Sequence, residues 1–560
     1  MNSSSASITS AREAGSAHRT RAYPPLPSDA ALAAEGTGAQ PVGRQKLQDT
    51  FESILYQQVR EASQLPRTAP AYFRDLNLDQ IVEAITANKE EYHLKPFFYD
   101  LLTTTDAIAY RHGVMRDLEH DRTLDCLKAF ARKMSDMREQ IARAQKLYYR
   151  LQKERWFLHA AETYCAAVVG LQADLAAAPL SSRGLLGFRA YVNQYAASAC
   201  FVRLATAAGK LVEDLDAIRY CILIKDTSFK VRKYDGEVDY SADILDTFRK
   251  FQQGEAEARR TQIPEAQDMN HIEARILEFV ARLYPGVFAR LEAFCLENRA
   301  FADTILTRFD REIQFYISYM EYLAPLGRAG LCFCYPAISV TDKTACGEEA
   351  FDLALATKLI REQAPVICND LQLTGKERIL VISGPNQGGK TTFARMFGQL
   401  HHLASIGCPV PGRHARLYLF DALFTHFERE EDIRNRHGKL QDDLVRIHEI
   451  MTQATPRSVI IMNEIFTSTA LKDAVYLARE VLGRIIDLDC LCVCVTFLEE
   501  LSALNEKTVS MVSTVVPDNP AVRTYRVVRR PADGRSYALS IAEKYRVTYD
   551  CLKERIPESF

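Results

Sequence analysis

Residues 378–398 read Arg378-Ile-Leu-Val-Ile-Ser-Gly384-Pro-Asn-Gln-Gly-Gly-Lys390-Thr-Thr-Phe-Ala-Arg-Met-Phe-Gly398. Four apolar β-formers, Ile379 to Ile382, lead into a glycine-rich turn, and Phe393, Phe397 and Leu400 then recur at helical spacing. Strand, turn and helix in that order, with G-x-x-x-x-G-K-[ST] at the turn, describe a phosphate-binding loop. Gly384, Gly388 and Gly389 let the backbone curl until successive N–H groups face one anion, and the following helix adds its positive end. Lys390 supplies a point charge to the β- and γ-phosphates, and Thr391 places a hydroxyl where a phosphate-bound Mg2+ needs an oxygen. An ordinary glycine turn would explain the glycines but has no use for a Lys-Thr pair.

The chain around this loop has 560 residues, enough for three or four domains of ordinary size, and 47% of them are hydrophobic. No apolar run approaches the roughly 18–20 residues of a membrane span, so a soluble protein without a membrane partner is expected. Residues 1–45 are rich in Ser, Ala, Gly and Pro and lack the apolar stretch of a secretory signal, so disorder is expected there. Their arginines and scarce acids also resemble an organelle transit peptide. None of the fourteen cysteines stands in a C-x-x-C pair. Cys490, Cys492 and Cys494 alternate with Leu491 and Val493, as Cys332 and Cys334 do around Phe333, which suits packing rather than zinc. Reduced thiols imply a reducing compartment, hence the cytoplasm. A net charge of −2 argues against a protein that coats nucleic acid, so any DNA contact must be local.

Ordered structure is expected to begin near Tyr72 to Asp79. From Ile81 to about Ala217 apolar residues recur at three and four with few Gly or Pro, the pattern of successive helices. Within that stretch, Leu124 to Leu158 reads as one long amphipathic helix, a bundle or arm helix with a solvated charged face. The helical text breaks at Cys221 to Gly236, where two β-like runs flank Asp226-Thr227 and predict a hairpin. Phe229 and Val231 alternate there with Lys230 and Arg232, with Lys225, Lys233 and Tyr234 close by. Such a basic strand face either sits on phosphates or faces water. Helices resume from Ala242 to Leu323 around a polar tip at 254–270. Residues 337–347 read as a linker, Phe351 to Glu362 as a helix, and Val366 to Asp370 as the last extended piece before the loop strand.

Downstream, Ser458-Val-Ile-Ile-Met-Asn463-Glu464 has the apolar run and terminal acid of a second buried strand, a Walker B site with one substitution. In such sites the first acid assists Mg2+ through its water shell and the next carboxylate orients or deprotonates the attacking water. Glu464 is therefore the catalytic candidate, and Asn463 joins Thr391 as a candidate for the metal. An amide in place of the first acid removes one negative charge beside a divalent ion, which predicts weaker Mg2+ binding or slower turnover.

Gly384-Pro-Asn-Gln-Gly-Gly-Lys-Thr391 resembles the G-P-N-M-G-G-K-S stretch of the MutS family of DNA mismatch repair ATPases. Ile406-Gly-Cys-Pro-Val-Pro411 is similar to that family's I-G-x-F-V-P. Asn463-Glu-Ile-Phe-Thr-Ser-Thr-Ala-Leu-Lys-Asp473 resembles its D-E-I-G-R-G-T-S-T-x-D without a gap, and Gly534 to Ala542 its closing strand and helix. The likeness runs from about Val366 to Ile556; before that, Asp106 to Leu118 and the helices after Tyr284 look like pieces of the helical core and lever.

The resemblance implies a mixed fold, an all-α helical core/lever domain followed by an α/β ABC-type P-loop ATPase domain. Its layout would be a disordered 1–45, a core and lever over 46–340 with a small β insertion near 221–234, and an ATPase over 341–560. It implies ATP and Mg2+ as cofactors, with Gly384, Pro385, Asn386, Gln387, Gly388, Gly389, Lys390, Thr391 and Thr392 around the phosphates. Val366 and Ile367 would lie near adenine, Asn463 at the metal, and Asp473 on the loop facing a second copy in a homodimer.

Two departures stand out. Thr496-Phe497 replaces the family's Thr-His, and phenylalanine offers no polar bond to phosphate or water. Gly438-Lys439-Leu440-Gln441 replaces S-T-F-M, a Lys charge standing in for a hydroxyl, while Leu440, Leu444, Ile447 and Met451 keep a buried helix face. Fewer than about 75 residues precede the core, too few for a mismatch-reading domain. The expected function is an ATP-dependent DNA-binding protein whose paired ATPase domains move helical arms on duplex or branched DNA without reading mismatches, with Lys225, Lys230, Arg232 and Lys233 on phosphates. An ATP-binding scaffold or switch with little hydrolysis and no DNA role is the alternative, on the strength of Asn463, Phe497 and the near-neutral charge. A transporter ATPase is disfavoured because no L-S-G-G-Q occurs.

Overall fold

The computed structural model describes residues 51–57, 64–225, 228–236, 269–428, 438–517, 519–532 and 546–555. The expected disordered tail, residues 242–268 of the expected helix and polar tip, and the stretch Gly534 to Ala542 lie outside these. Helices come first: α1 (Leu78–Thr86), α2 (Lys95–Tyr99), α3 (Thr105–Leu118), α4 (Asp121–Lys146), α5 (Arg150–Ala177), α6 (Arg183–Ala196) and α7 (Ala199–Asp216). The hairpin β1 (Tyr220–Lys225) and β2 (Ser228–Lys233) follows, then α8 (His271–Leu283), α9 (Pro285–Glu297) and α10 (Thr304–Arg328). Side-chain caps start several of them: Thr104, Ser182 and Asp303 each accept first-turn N–H groups, and Asn270 with Glu273 forms a capping box. The remaining elements alternate: β3 (Phe333–Cys334), β4 (Ala337–Ser339), β5 (Ala345–Ala350), α11 (Leu353–Arg361), β6 (Asn369–Leu373), β7 (Ile379–Ser383), α12 (Lys390–Ser405), β8 (Val410–Pro411), β9 (His414–Tyr418) and β10 (Leu423–His426). Last come α13 (Lys439–Gln453), β11 (Val459–Asn463), α14 (Leu471–Leu488), β12 (Leu491–Val495), β13 (Thr508–Val516), β14 (Asn519–Arg529) and α15 (Tyr549–Arg555). The fold is mixed α/β. Among the described residues no helix is long and apolar enough to cross a membrane.

The chain divides into two compact units, one containing Ser135–Thr163 and Arg203–Phe301, the other Asp49–Met134, Tyr164–Val202 and Ala302–Phe560. In the first unit the expected single helix from Leu124 to Leu158 is broken, since α4 ends at Lys146 and α5 starts at Arg150. The break lets Leu147 and Phe157 both bury, Phe157 against Phe294 and Phe301, while Tyr148 is left outside. The hairpin forms as read, with Lys225 opposite Ser228. Phe229 packs edge-on against Phe279 of α8, ring centroids 6.1 Å apart.

Alternation along β2 splits the expected basic cluster. Arg232 and Lys230 pair with Cys221 and Leu223 on one face, whereas Lys233 pairs with Tyr220 on the other and stacks its ammonium 5.0 Å from the Tyr284 ring. Lys225 shares the register parity of Lys230 and Arg232.

The second unit begins earlier than the sequence suggests. Glu312 of α10 accepts the Ser53 hydroxyl at 2.8 Å and the Ile54 N–H at 2.9 Å, and Tyr316 donates to the Ile54 carbonyl at 2.7 Å. These long-range bonds leave no trace in local patterning. The expected linker at 337–347 is instead parts of β4 and β5, which join β9 and β6 in a four-stranded sheet ordered β4-β9-β5-β6. Their pairing partner β9 lies some seventy residues downstream, beyond the reach of a local reading.

The main sheet runs β10-β11-β12-β7-β13-β14, with neighbours parallel except for the antiparallel edge strand β14. All residues of β7, β11 and β12 are buried, as befits parallel strands covered on both faces. Cys490, Cys492 and Cys494 are core residues of this sheet or its approach. Ligands of such sheets bind beyond the carboxyl ends of the strands, which sets the location of the site.

Candidate nucleotide site

β7 delivers the chain into the glycine loop, and α12 leaves it at Lys390. Gly384 and Gly389 have φ of 121° and 92°, and Gln387 is also left-handed at 57°. These are the backbone states that a tight phosphate cradle demands and that glycine adopts without strain. Gly389 caps α12 without a side chain, so the first-turn N–H groups of the helix have no side-chain acceptor there. Lys390 is buried, and its Nζ lies 3.1 Å from both the Gly384 and Pro385 carbonyls and 3.4 Å from Asn386 Oδ1. Burial pushes this ammonium below its ordinary pKa; the Glu464 carboxylate opposes that shift and the Arg523 guanidinium adds to it.

The ends of the neighbouring strands complete the site. Asn463 closes β11, and its Oδ1 accepts the Thr391 hydroxyl at 2.9 Å. The two expected metal residues therefore meet directly. Glu464 follows in a left-handed conformation, φ 56°, held by its N–H on the Val495 carbonyl of β12 at 2.9 Å. A non-glycine residue is strained there and is kept so by the strand it pairs with. Phe497, just past β12, lies face-on to Lys390, with Nζ 4.7 Å from the ring centroid. The ring thus makes a cation–π contact with the loop's Lys390 in place of a polar bond.

Three contributors escaped the sequence reading. Ser513 of β13 is fully buried and donates to the Gly388 carbonyl at 2.6 Å. Arg523 of β14 donates from Nε to the Asn386 carbonyl at 3.2 Å. Tyr525, left-handed at φ 58° and half exposed, sets its carbonyl 3.6 Å from where a side chain on Gly389 would begin. Asn369 holds that turn of β14, donating to the Tyr525 carbonyl at 3.2 Å and accepting the Val527 N–H at 2.7 Å. Only the Gly-rich loop hints at them, because glycines are needed where another backbone comes close.

The other candidates are placed less tightly. Val366 and Ile367 are half-buried and stand three and two residues ahead of Asn369. Pro385 is buried, Asn386 and Gln387 are exposed at the tip, and Thr392 lies in the first turn of α12. Asp473 is exposed in the first turn of α14 and makes no hydrogen bond or ion pair to the loop among the described residues. Lys439 opens α13 and pairs with Glu428. The expected buried face of α13 holds at Ile447, which is buried, and at Leu440 and Met451, which pack partly buried against the same core, and is corrected at Leu444. Asp443 takes the inward position instead, 3.2 Å from Nε2 of buried His426, and Leu444 turns outward. Lys225, Lys230, Arg232 and Lys233 belong to the other compact unit.

The residues present fit a nucleoside triphosphate. The buried cation rests on neutral carbonyls, which an anion would outbid, and the cradle admits no side chain: a Cβ on Gly388 would sit 2.3 Å from Ser513 Oγ. Thr391 Oγ1 and Asn463 Oδ1 are hard oxygens suited to Mg2+, which usually keeps several waters and takes few protein ligands.

Residues 380–555 match the family model MutS domain V. The chain is 33% identical over 175 residues to the DNA mismatch repair protein MutS of Chloroflexus aurantiacus, covering 30% of this chain and 17% of that protein. It is 31% identical over 180 residues to the protein of the same name from Shouchella clausii, covering 31% and 21%. With that of Clostridium kluyveri the match extends to 306 residues at 26% identity, covering 53% and 34%. The chain thus spans about a sixth to a third of the length of these relatives.

Proposed function

Because the chain is a member of the MutS family, we propose that it is an ATPase of DNA mismatch repair or related DNA maintenance that binds ATP and Mg2+ at the loop 384–392. The observation that carries this reading is the buried Lys390, folded onto the loop carbonyls beside the Thr391–Asn463 bond. In this reading Lys390 and the first amides of α12 hold the phosphates, and Thr391 with Asn463 orients the metal. Glu464, one residue past that pair, orients or deprotonates the attacking water. Mg2+, when bound, offsets charge on the phosphates. Lys390→Ala should abolish binding of a fluorescent ATP analogue, and an unchanged affinity would sink the assignment.

The finer parts of the proposal follow from the family. Residues 341–560 act as an ABC-type ATPase, residues 46–340 as a core and lever, and two copies sandwich nucleotide with Asp473 facing the partner. DNA is held as duplex or branched structure through its backbone rather than by mismatch, and free thiols suit a cytoplasmic protein. Glu464→Gln should trap ATP and a dimer. A species that sediments as monomer with ATP and Mg2+ would count against the sandwich.

A second reading, an ATP-operated switch with little hydrolysis, is favoured by Phe497, whose ring covers Lys390 where a polar group would assist water. Turnover rates measured with and without DNA separate the two.

A further inference from the structure

We propose that Ser513 is a positioning residue for the phosphate chain, its hydroxyl holding the Gly388 carbonyl so that the Gly389 N–H is turned into the loop. The inference rests on reading 384–392 as the nucleotide site.

Parallel pairing sets Ser513 at the mouth of the loop, because Met511 and Val512 stand opposite Ile382 and Ser383, the last two residues of β7. Its hydroxyl meets the Gly388 carbonyl at 2.6 Å, with both residues buried. In a trans peptide the C=O and N–H point to opposite sides of the chain. With the 388–389 carbonyl aimed at β13, the N–H of that peptide is aimed away from the strand. A Gly-Gly peptide is the easiest of all to rotate, since neither residue has a Cβ to resist it. Rotated, it would present a carbonyl dipole to an anion instead of a donor. The Ser513 bond opposes that rotation, and losing it would leave a buried carbonyl unpaired.

Space at this point is closely matched to serine. A Cβ on Gly388 would lie 2.3 Å from Ser513 Oγ, and one on Gly384 would lie 2.9 Å from the Ser513 carbonyl oxygen and 3.0 Å from its Cβ. One strand residue therefore accounts for two of the loop glycines. A longer side chain at 513 would lift the loop, and one without a donor would release it.

The test is equilibrium binding to the purified full chain, with a fluorescent ATP analogue displaced by ATP, ADP and inorganic tripolyphosphate. Ser513→Ala should weaken all three about tenfold, the usual scale for one buried hydrogen bond. Should the Ala variant not fold, Ser513→Cys has nearly the same size with a weaker donor and should show a smaller loss of the same kind. ATP affinity within twofold of the parent would overturn the inference, as would weakened ATP binding with tripolyphosphate binding retained. Lys390→Ala, measured alongside, separates the levels of failure. If it too binds ATP normally, the nucleotide reading itself is wrong and this inference goes with it. If only Ser513→Ala is silent, the nucleotide reading stands and the role of Ser513 does not.

Discussion

Asn463 is the residue at which the chemistry of the site is most exposed to a single change. Its amide accepts the Thr391 hydroxyl, a bond that a carboxylate in the same place would accept equally well. Asn463→Asp therefore keeps the geometry and adds one negative charge beside Thr391. A divalent ion is attracted by that charge, so the Mg2+ concentration for half-maximal ATPase rate should fall severalfold. An unaltered Mg2+ dependence would show that position 463 does not see the metal. The substituted acid was legible in the sequence because it follows a run of β-formers. Phe497's contact with Lys390 was not, because spacing along one strand says nothing about which side chain the ring will face.

Helix α12 carries more than the loop. His401 is fully buried on it, with Nδ1 2.9 Å from the Phe397 carbonyl, and burial pushes its pKa from 6.5 to about 4. The folded ring stays neutral while the unfolded chain takes up a proton below pH 6.5. Its contribution to stability is thus full above pH 6.5 and is lost as pH falls toward 4. At pH 5 that loss is about 2 kcal/mol. Asp352 meets the same helix through Gln399 at 3.0 Å, and burial raises its pKa, so it acts in the opposite sense, losing stability as pH rises. Comparing the parent with His401→Leu cancels the Asp352 effect. Between pH 7 and pH 5 the variant should lose about 2 kcal/mol less in urea unfolding, and parallel curves would refute this. The apolar spacing Phe393, Phe397, Leu400 was readable as a helix, but burial on every side, histidines included, comes from layers that only the tertiary structure supplies.

At the scale of the whole molecule, short-range signals were legible and long-range pairings were not. The loop, the buried strand β11 and the hairpin could all be read from neighbours in sequence. Strands β4 and β5 passed for a linker, and the segment 51–57 passed for the edge of a loose terminus, because their partners are far along the chain. The α4–α5 break was missed because Leu147-Tyr148-Tyr149 carries no Gly or Pro to mark it. For the hairpin, the register refines an expectation into a test. Lys230 and Arg232 share a face that Lys233 does not. If that face meets the DNA backbone, replacing Lys230 and Arg232 by Ala should flatten the slope of log affinity against log salt by about two units. Lys233→Ala should leave the slope as it is. Equal effects from both sets would mean that the hairpin face is not the contact.

The bonds from Glu312 to Ser53 and Ile54 also have a meaning in time. A ribosome adding about 5–20 residues per second needs roughly 13–50 s to travel the 259 residues between Ser53 and Glu312. Arg111, which donates to the Ile406 carbonyl at 2.8 Å, waits across a gap of 295 residues. The unit holding 135–163 and 203–301 is synthesised in full before either partner emerges. On a growing chain the inserted unit can therefore mature first, while the residues ahead of it stay open to chaperones or proteases until the host unit closes over them.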